Sequence, residues 1–247
     1  SALINNPNIE KLISSTSNIN YSDYCLVYDI STPCAKYETA RNKLNRPVEK
    51  NRVEIYAEAM GVRNFIKDLL PRYYPTKEEI ESIKSRLKLN SKKKTIFISP
   101  CSAEVYRNWP RENYIKLIEF LKSEYNVLLQ SEETFSGITS INFKDYSIRD
   151  VGAIVSISDL VITVDSAPLH IAAALQKETI ALFGPIDYKA RCRGYKNITV
   201  VKSECQFMPC WRNGNTICKQ TNINGESECL KNIKSQHLLK IIKEKLK

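Results

Sequence analysis

The chain has 247 residues and a formal net charge of +10 at pH 7, with 43% hydrophobic and 26% charged residues. Such a chain can bury a sizeable core as one large or two modest domains. No apolar run approaches the roughly 20 residues that cross a bilayer, and no signal-like start is present, so we expect a cytoplasmic protein rather than an integral membrane protein.

The positive charge is dispersed along the chain, and residues 92–94 form its only tight basic run. A basic balance favours anionic partners, which makes peripheral contact with the anionic inner face of a membrane compatible with the sequence. A nucleic-acid groove would show aromatic residues interleaved with arginine. That pattern is not evident, so the composition disfavours nucleic acid as a partner.

Residues 1–70 combine short apolar pieces, such as 24–30, with a predicted helix over 52–60 that Gly61 closes. Gly61 is the only glycine before residue 137, so this part contains no glycine-rich phosphate loop. Residues 71–94 indicate a linker, with a charged helix over 77–89 in front of which Thr76 and Glu79 are spaced as a capping box.

From residue 95 the pattern alternates between short β-branched runs and amphipathic stretches, which is typical of a parallel sheet covered by helices on both faces. The predicted strands are 95–99, 127–130, 138–143, 160–164, 179–183 and 198–201, and the predicted helices are 111–125, 148–157, 168–176 and 233–246. We therefore expect a doubly wound α/β domain over residues 95–247.

The turn after the fourth of these strands gathers polar and small residues. Asp165, Ser166 and Ala167 lead into a helix with Pro168 at its first position and His170 in its first turn. Helix amides and an imidazolium at such a place would favour an anion such as a diphosphate, and the Asp165 carboxylate would accept hydrogen bonds from sugar hydroxyls. The alternative is an ordinary turn with a hydrogen-bonded structural histidine.

Two further residues follow the carboxyl ends of predicted strands. Arg107 lies beyond the first strand and could bind diphosphate oxygens in a bidentate manner, although the residues alone favour a surface arginine beside a packed tryptophan. Glu132 or Glu133, beyond the second strand, could hold ribose hydroxyls or be a solvated loop acid.

Four cysteines cluster near the C-terminus with four, seven and ten residues between them: Cys205, Cys210, Cys218 and Cys229. This loop-rich stretch suits a tetrahedral site for structural zinc or iron, with disulfides as the less favoured alternative in a reducing compartment. The remaining four are scattered and are interpreted as buried small apolar residues: Cys25, Cys34, Cys101 and Cys192.

The order Asp165-Ser166-Ala167, then His170, then residues 182–185 (Leu-Phe-Gly-Pro) resembles the donor-site signature of the heptosyltransferases, glycosyltransferase family nine. The resemblance implies a Rossmann-like, doubly wound C-terminal domain of a GT-B enzyme, with residues 1–70 as a truncated acceptor-side domain. In that family a basic residue, commonly lysine, precedes a Trp-Pro pair by two positions, where this chain has Arg107. A glutamate near Glu132 contacts the nucleoside, and many members carry a C-terminal cysteine quartet with a structural role.

The resemblance implies transfer of a sugar from a nucleotide-diphosphate donor, of ADP-heptose type, to a saccharide, lipid-saccharide or protein acceptor by an inverting mechanism. No two aspartates are two residues apart, so no DxD metal-diphosphate motif is present and no catalytic metal is expected. Arg107, His170 and helix amides would neutralise the leaving group. No residue matches the family's general base, so we expect donor binding but incomplete catalysis.

Two other functions remain open on the sequence. One is an inactive interaction or nucleic-acid-binding module that a metal holds together. It would fit the cysteine cluster, the positive charge and the absence of a glycine-rich loop before residue 137. A nucleotide-sugar epimerase would need further acid-base residues that the sequence does not indicate. With only two histidines, most histidine-based hydrolase schemes are excluded.

Overall fold

A computed structural model describes residues 3–13, 19–28, 30–44, 46, 48–62, 70–210 and 225–247. The helices there are α1 (Pro33–Lys43), α2 (Arg52–Ala59), α3 (Lys77–Leu87), α4 (Arg111–Leu121), α5 (Ile148–Ile157), α6 (Ala167–Ala174), α7 (Tyr188–Arg191), α8 (Glu228–Lys231) and α9 (Ser235–Lys245). The strands are β1 (Thr95–Ser99), β2 (Asn126–Gln130), β3 (Thr139–Ile141), β4 (Leu160–Val164), β5 (Thr179–Phe183) and β6 (Ile198–Lys202). Short 3₁₀ turns lie at Tyr21–Asp23 and Val105–Arg107.

The six strands form one parallel sheet in the order β3-β2-β1-β4-β5-β6. The chain builds outward from β1 to β3, crosses back, and builds outward again from β4 to β6. The predicted doubly wound α/β sheet is thereby confirmed. The strand order reverses between β1 and β4, and the crevice at the carboxyl ends of such a pair is where open α/β sheets bind ligands.

The central strands carry continuous apolar runs because both of their faces are covered. Every residue of β1, β4 and β5 is buried. Side chains alternate between the faces, so Ile96 and Ile98 join the core under α4 and α9, whereas Phe97 joins the core under α3 and α5. The two cores hold the sheet rigid and fix the rim on which the loops stand.

Helix α3 packs against α5, and its Ile83 is fully buried. The predicted capping box at its start is present: Thr76 Oγ1 accepts from the Glu79 amide at 3.1 Å, and Glu79 accepts from the Thr76 amide at 2.8 Å. Arg149 of α5 then donates two hydrogen bonds to the Glu79 carboxylate, at 2.7 and 2.5 Å. The segment before β1 is therefore bound firmly to the sheet domain.

Several predicted boundaries differ from the structure by a few residues. Predicted helix 111–125 ends at Leu121, where the chain turns to reach β2, and predicted strand 138–143 is paired only over Thr139–Ile141. Helix α6 begins at Ala167 with Ser166 as N-cap, one residue earlier than predicted. Pro168 therefore occupies the second helical position instead of the first.

Helices α1 and α2 of the N-terminal part pack together and lie against α7. Asn51 caps α2 in a capping box with Glu54, and its side-chain amide donates to the Ala190 carbonyl at 3.1 Å. Arg193 donates to both oxygens of Glu54, at 3.1 and 3.0 Å. These contacts place the N-terminal helices beside the carboxyl rim of the sheet.

In the part of the chain that the structure describes, no helix combines the length and apolar character needed to span a bilayer.

Gly152 of α5 lies where the Tyr73 ring crosses the helix, and a Cβ there would stand 2.3 Å from Tyr73 Cε1. We expect Gly152→Ala to lower the free energy of unfolding by about 1–3 kcal/mol, since the ring must leave its place and lose its 3.0 Å hydrogen bond to the Ile148 carbonyl. Chemical denaturation measures this. The double variant Tyr73→Ala/Gly152→Ala should be at least as stable as Tyr73→Ala alone, because the ring is then absent. A lower stability of the double variant would show that the Tyr73 ring is not the cause.

Candidate functional site

The crevice between β1 and β4 contains Arg107 and Asp165, which the structure brings into contact. Ser99 pairs in register with Thr163, so the two strands end level with each other. Arg107 Nη1 donates to the Asp165 backbone carbonyl at 3.2 Å and to its Oδ2 at 3.4 Å. Asp165 is only 5% exposed. Arg107 and Asp165 therefore lie on the same rim of the sheet and contact each other directly.

The loop that carries Arg107 is anchored at both ends. The Trp109 amide donates to the Pro100 carbonyl at 2.8 Å, and the indole of Trp109 donates to the Ile233 carbonyl at 2.9 Å. Arg107 Nε is buried and lies 3.2 Å from Glu104 Oε2, yet it makes no hydrogen bond within the described residues. An anion at the rim would supply an acceptor for this donor.

The start of α6 faces the same rim. The Ser166 side chain makes no cap hydrogen bond, because its hydroxyl contacts Thr163 Oγ1 at 3.1 Å instead. Ala167, the first helical residue, is exposed. The positive end of the helix is therefore accessible to an anion at this point.

His170 adds an imidazole to the group. Its Nδ1 shares a 2.7 Å hydrogen bond with the Tyr195 hydroxyl, and its Nε2 lies 3.9 Å from Asp165 Oδ1. Burial lowers the pKa of His170 below its ordinary value; the Asp165 carboxylate opposes this shift, and the nearby arginines, led by Arg191, reinforce it. This shift favours the neutral imidazole, whereas the sequence interpretation included an imidazolium.

Sequence reasoning missed three charged residues that extend the cluster. Arg191 Nε lies 3.7 Å from Asp165 Oδ2, and Arg191 Nη1 lies 3.8 Å from Oε1 of Glu38, which is 3% exposed. Arg52 Nε is 3.9 Å from the same Glu38 oxygen. Together with Arg107, these residues form a row of alternating charge that runs from the β1 loop to the N-terminal helices.

A signal for Arg191 was present in the sequence. It follows β5 by a short loop, and loops after parallel strands gather on the carboxyl rim of the sheet, as the same rule indicated for Arg107. No comparable signal existed for Glu38 or Arg52, because the packing of α1 and α2 on the sheet domain depends on contacts remote in sequence.

A cavity of about 500 Å³ opens beside this row, within the size range of small-molecule pockets. One wall comes from the N-terminal part and the other from α6, α7 and a short apolar stretch after β6. The lining residues are Glu38, Arg46, Val48, Lys50, Asn51, Arg52, Val53, Pro71, His170, Ile186, Asp187, Ala190, Arg191, Tyr195, Phe207, Met208 and Pro209. The cavity is thus rich in cations on one side and apolar on the other.

Glu132 lies on the same edge of the sheet, after β2, but is well exposed. Its carboxylate pairs with Lys144 at 3.2 Å, while the neighbouring Glu133 pairs with Arg111 at 2.5 Å. The structure therefore describes Glu132 as a solvated acid at the rim, and its assignment to the nucleoside stays a prediction.

The structure describes three of the four clustered cysteines, whereas Cys218 lies outside the described residues. The Cys210 amide donates to the Pro185 carbonyl at 3.1 Å, and Cys229 Sγ would be 3.0 Å from a Cβ on Gly184. Among the described residues, no three His, Cys, Asp or Glu side chains gather as a metal-binding group. The described cysteines alone thus do not make the predicted site.

The scattered cysteines behave differently from one another. Cys34 is buried, as predicted, but the prediction is wrong for Cys25, which is exposed in the N-terminal part. Cys101 and Cys192 are partly buried, and burial raises the pKa of Cys101 and raises that of Cys192 to about 12. Neither thiol is therefore an activated nucleophile.

Comparison with known proteins finds similar sequences. Residues 145–220 match the family described as glycosyltransferase family 9 (heptosyltransferase). Two curated relatives are both lipopolysaccharide heptosyltransferase 3. The relative from Escherichia coli K12 is 28% identical over 152 residues, which are 53% of this chain and 42% of the relative. A second, from Escherichia coli, is 27% identical over 108 residues, which are 38% of this chain and 32% of the relative.

Solved structures share the fold. ADP-heptose LPS heptosyltransferase II of Escherichia coli matches with a TM-score of 0.61 at 17% identity, over 80% of this chain and 62% of that one. The family 9 glycosyltransferase of Veillonella parvula DSM 2008 matches at 0.59 and 16% identity, over 81% and 61%. The dodecameric iron-containing heptosyltransferase TibC, in complex with ADP-D-beta-D-heptose, matches at 0.55 and 12% identity, over 79% and 53%.

These matches confirm the resemblance to glycosyltransferase family 9 and the likeness of the α/β fold to heptosyltransferases of GT-B architecture. The alignments span less than half the length of the curated relatives and under two thirds of the solved neighbours.

The lowered pKa of His170 predicts a pH dependence of stability. As the pH falls through about 6.5, the unfolded chain binds a proton before the folded chain does, so the free energy of unfolding declines. Denaturation at about pH 7.5 and about pH 5.5 should show that the free energy of unfolding falls more between these pH values in the unsubstituted chain than in His170→Gln. His237→Gln, at the exposed second histidine, should lose as much as the unsubstituted chain. Equal losses in all three proteins would refute the prediction.

Proposed function

We propose that this chain binds the nucleotide-diphosphate sugar donor of a heptosyltransferase-type glycosyltransferase, with an ADP-heptose-like donor and a saccharide, lipid-saccharide or protein acceptor. The observation that carries the proposal is the contact of Arg107 with Asp165 at the point where the strand order reverses. The family 9 match over residues 145–220 includes Asp165 and His170. Two neighbours are named as heptosyltransferases in complex with ADP or an ADP-heptose.

In this proposal each rim residue has a distinct task. Arg107 and the amides of Ser166 and Ala167 bind the diphosphate, and His170 donates a hydrogen bond to it. Asp165 accepts hydrogen bonds from sugar hydroxyls. The buried Nε of Arg107 supports this role, since a phosphate oxygen would provide its missing acceptor. Glu132 is assigned to the ribose.

The proposed transfer is inverting and uses no catalytic metal. The acceptor hydroxyl attacks the anomeric carbon as the bond to the diphosphate breaks, and the acceptor's proton passes to a carboxylate base. Arg107 and the positive end of α6 stabilise the charge that develops on the departing diphosphate. We assign the base to no described residue.

The domain organisation is part of the same proposal. Residues 95–247 form the donor-binding domain, residues 71–94 the linker, and residues 1–70 a partial acceptor-side domain. The cavity supports this division because its two walls come from residues 38–53 and from the sheet domain. The net charge of +10 suits a cytoplasmic protein that meets an anionic membrane face, where a lipid-saccharide acceptor would lie.

We also assign a structural zinc or iron to Cys205, Cys210, Cys218 and Cys229. The neighbour TibC is named as iron-containing, and Cys210 and Cys229 both approach residues 184–185. Thiolates suit either metal. Residues 207–209 lie between two of these cysteines and line the cavity, so a metal would hold that wall in place without taking part in the reaction.

The donor site is tested by the difference in affinity between an ADP-sugar and ADP. In Asp165→Asn we expect this difference to shrink by about 10- to 100-fold, while ADP itself stays bound. The reason is that an amide oxygen accepts hydrogen bonds from sugar hydroxyls less strongly than a carboxylate does. Isothermal titration gives both constants.

Asp145→Asn, at an exposed loop position, is the matched control and should behave as the unsubstituted chain. The proposal fails if the unsubstituted chain binds no nucleotide sugar, in a panel that also contains UDP-, GDP- and CMP-sugars.

The metal site is tested by elemental analysis of the purified chain. We expect about one zinc or iron per chain, lost in Cys210→Ser because three thiolates and a hydroxyl hold the metal poorly. Cys25→Ser, at an exposed cysteine outside the cluster, should keep its metal. Equal metal content in both variants, or none in the unsubstituted chain, would contradict the assignment.

A further inference from the structure

Arg191 occupies a position in the cleft that lies outside the donor-site motif around Asp165 and His170. It ends helix α7, its side chain is 9% exposed, and it lines the cavity next to His170. The carboxyl rim of the sheet thus presents it from the β5 side, whereas Arg107 enters from the β1 side. The two guanidinium groups approach the switch point from opposite directions.

Both arginines face the same atom. Asp165 Oδ2 lies 3.4 Å from Arg107 Nη1 and 3.7 Å from Arg191 Nε. One carboxylate oxygen therefore serves two cations, and the Asp165 charge does not neutralise both.

Two ion pairs of Arg191 are long. Its Nε lies 3.7 Å from Asp165 and its Nη1 lies 3.8 Å from Glu38, whereas a charge-assisted hydrogen bond is about 2.7–2.9 Å long. A guanidinium presents its donors in a planar fork that matches phosphate oxygens.

The two inner cations of the row, Arg107 and Arg191, share the carboxylate of Asp165. Glu104 also pairs with Arg107 and Glu38 with Arg191, while Arg52, which is half exposed, lies at the outer end of the row. The diphosphate bridge of a nucleotide sugar carries two negative charges. A site with two arginines around one carboxylate suits that group better than it suits a neutral ligand.

We propose that Arg191 is a second arginine of the diphosphate site, binding the bridge from the side opposite Arg107. This inference rests on the proposed function. It assigns to α7 a role in selecting diphosphates. It also places Glu38, in the N-terminal part, in contact with a group that binds the donor, so the two parts of the chain meet at the donor.

The experiment compares ADP with adenosine, which lacks both phosphates, by isothermal titration. Arg191→Gln should weaken ADP binding by about 10- to 100-fold, because hydrogen bonds to a charged group are lost, and should leave adenosine binding unchanged. Arg193→Gln is the matched control: it removes an arginine two residues further on, which pairs with Glu54 and is 49% exposed. This variant should bind ADP as the unsubstituted chain does.

Removal of Arg191 alone leaves the buried Glu38 with a weaker set of partners and risks misfolding. Arg191→Gln combined with Glu38→Gln removes both charges together and keeps the shapes of the side chains. Near-ultraviolet circular dichroism confirms the fold of either variant. The loss of ADP affinity is expected in both, with adenosine binding retained.

Three results would overturn the inference. In the first, Arg191→Gln binds ADP as tightly as the unsubstituted chain, and the proposed function stands without this residue. In the second, ADP and adenosine weaken equally in a folded variant, which shows a general packing role. In the third, the unsubstituted chain binds neither ligand, and then the proposed function fails together with the inference.

Discussion

The buried carboxylate of Asp165 organises the carboxyl rim of the sheet. It contacts Arg107 from the loop after β1, lies near His170 at the start of α6, and faces Arg191 at the end of α7. These three elements come from loops after different strands, and each carries a polar or charged group that would be costly to bury alone. Asp165 offers them a common partner, and the parallel sheet behind it fixes where they meet.

The sheet gives this arrangement its rigidity. Fully buried strands on both sides of the switch point, with helices packed on each face, leave the loops at the rim as the parts able to meet a ligand. The N-terminal helices complete the cleft through the bond from Asn51 to the Ala190 carbonyl and the pair of Arg193 with Glu54. The cavity therefore combines a preformed rim with a wall supplied from far away in the sequence.

Local patterns predicted most of the sheet domain. Continuous apolar runs such as Leu160–Val164 identified the strands, and the Thr76 capping box identified the start of α3. The proximity of Arg107 and Asp165 followed from the rule that loops after parallel strands share a rim. Glu38 could not be predicted, since its burial depends on how α1 packs against α7. The lowered pKa of His170 was also out of reach, because it depends on burial and on arginines that are remote in sequence.

A crystal structure of the chain with ADP tests the central claim most directly, that the rim around Asp165 is the donor site. We expect the diphosphate between Arg107 and the first turn of α6, within hydrogen-bonding distance of the Arg107 guanidinium and of the amides at Ser166 and Ala167. ADP bound elsewhere, with the contact between Arg107 and Asp165 unchanged, would contradict that claim.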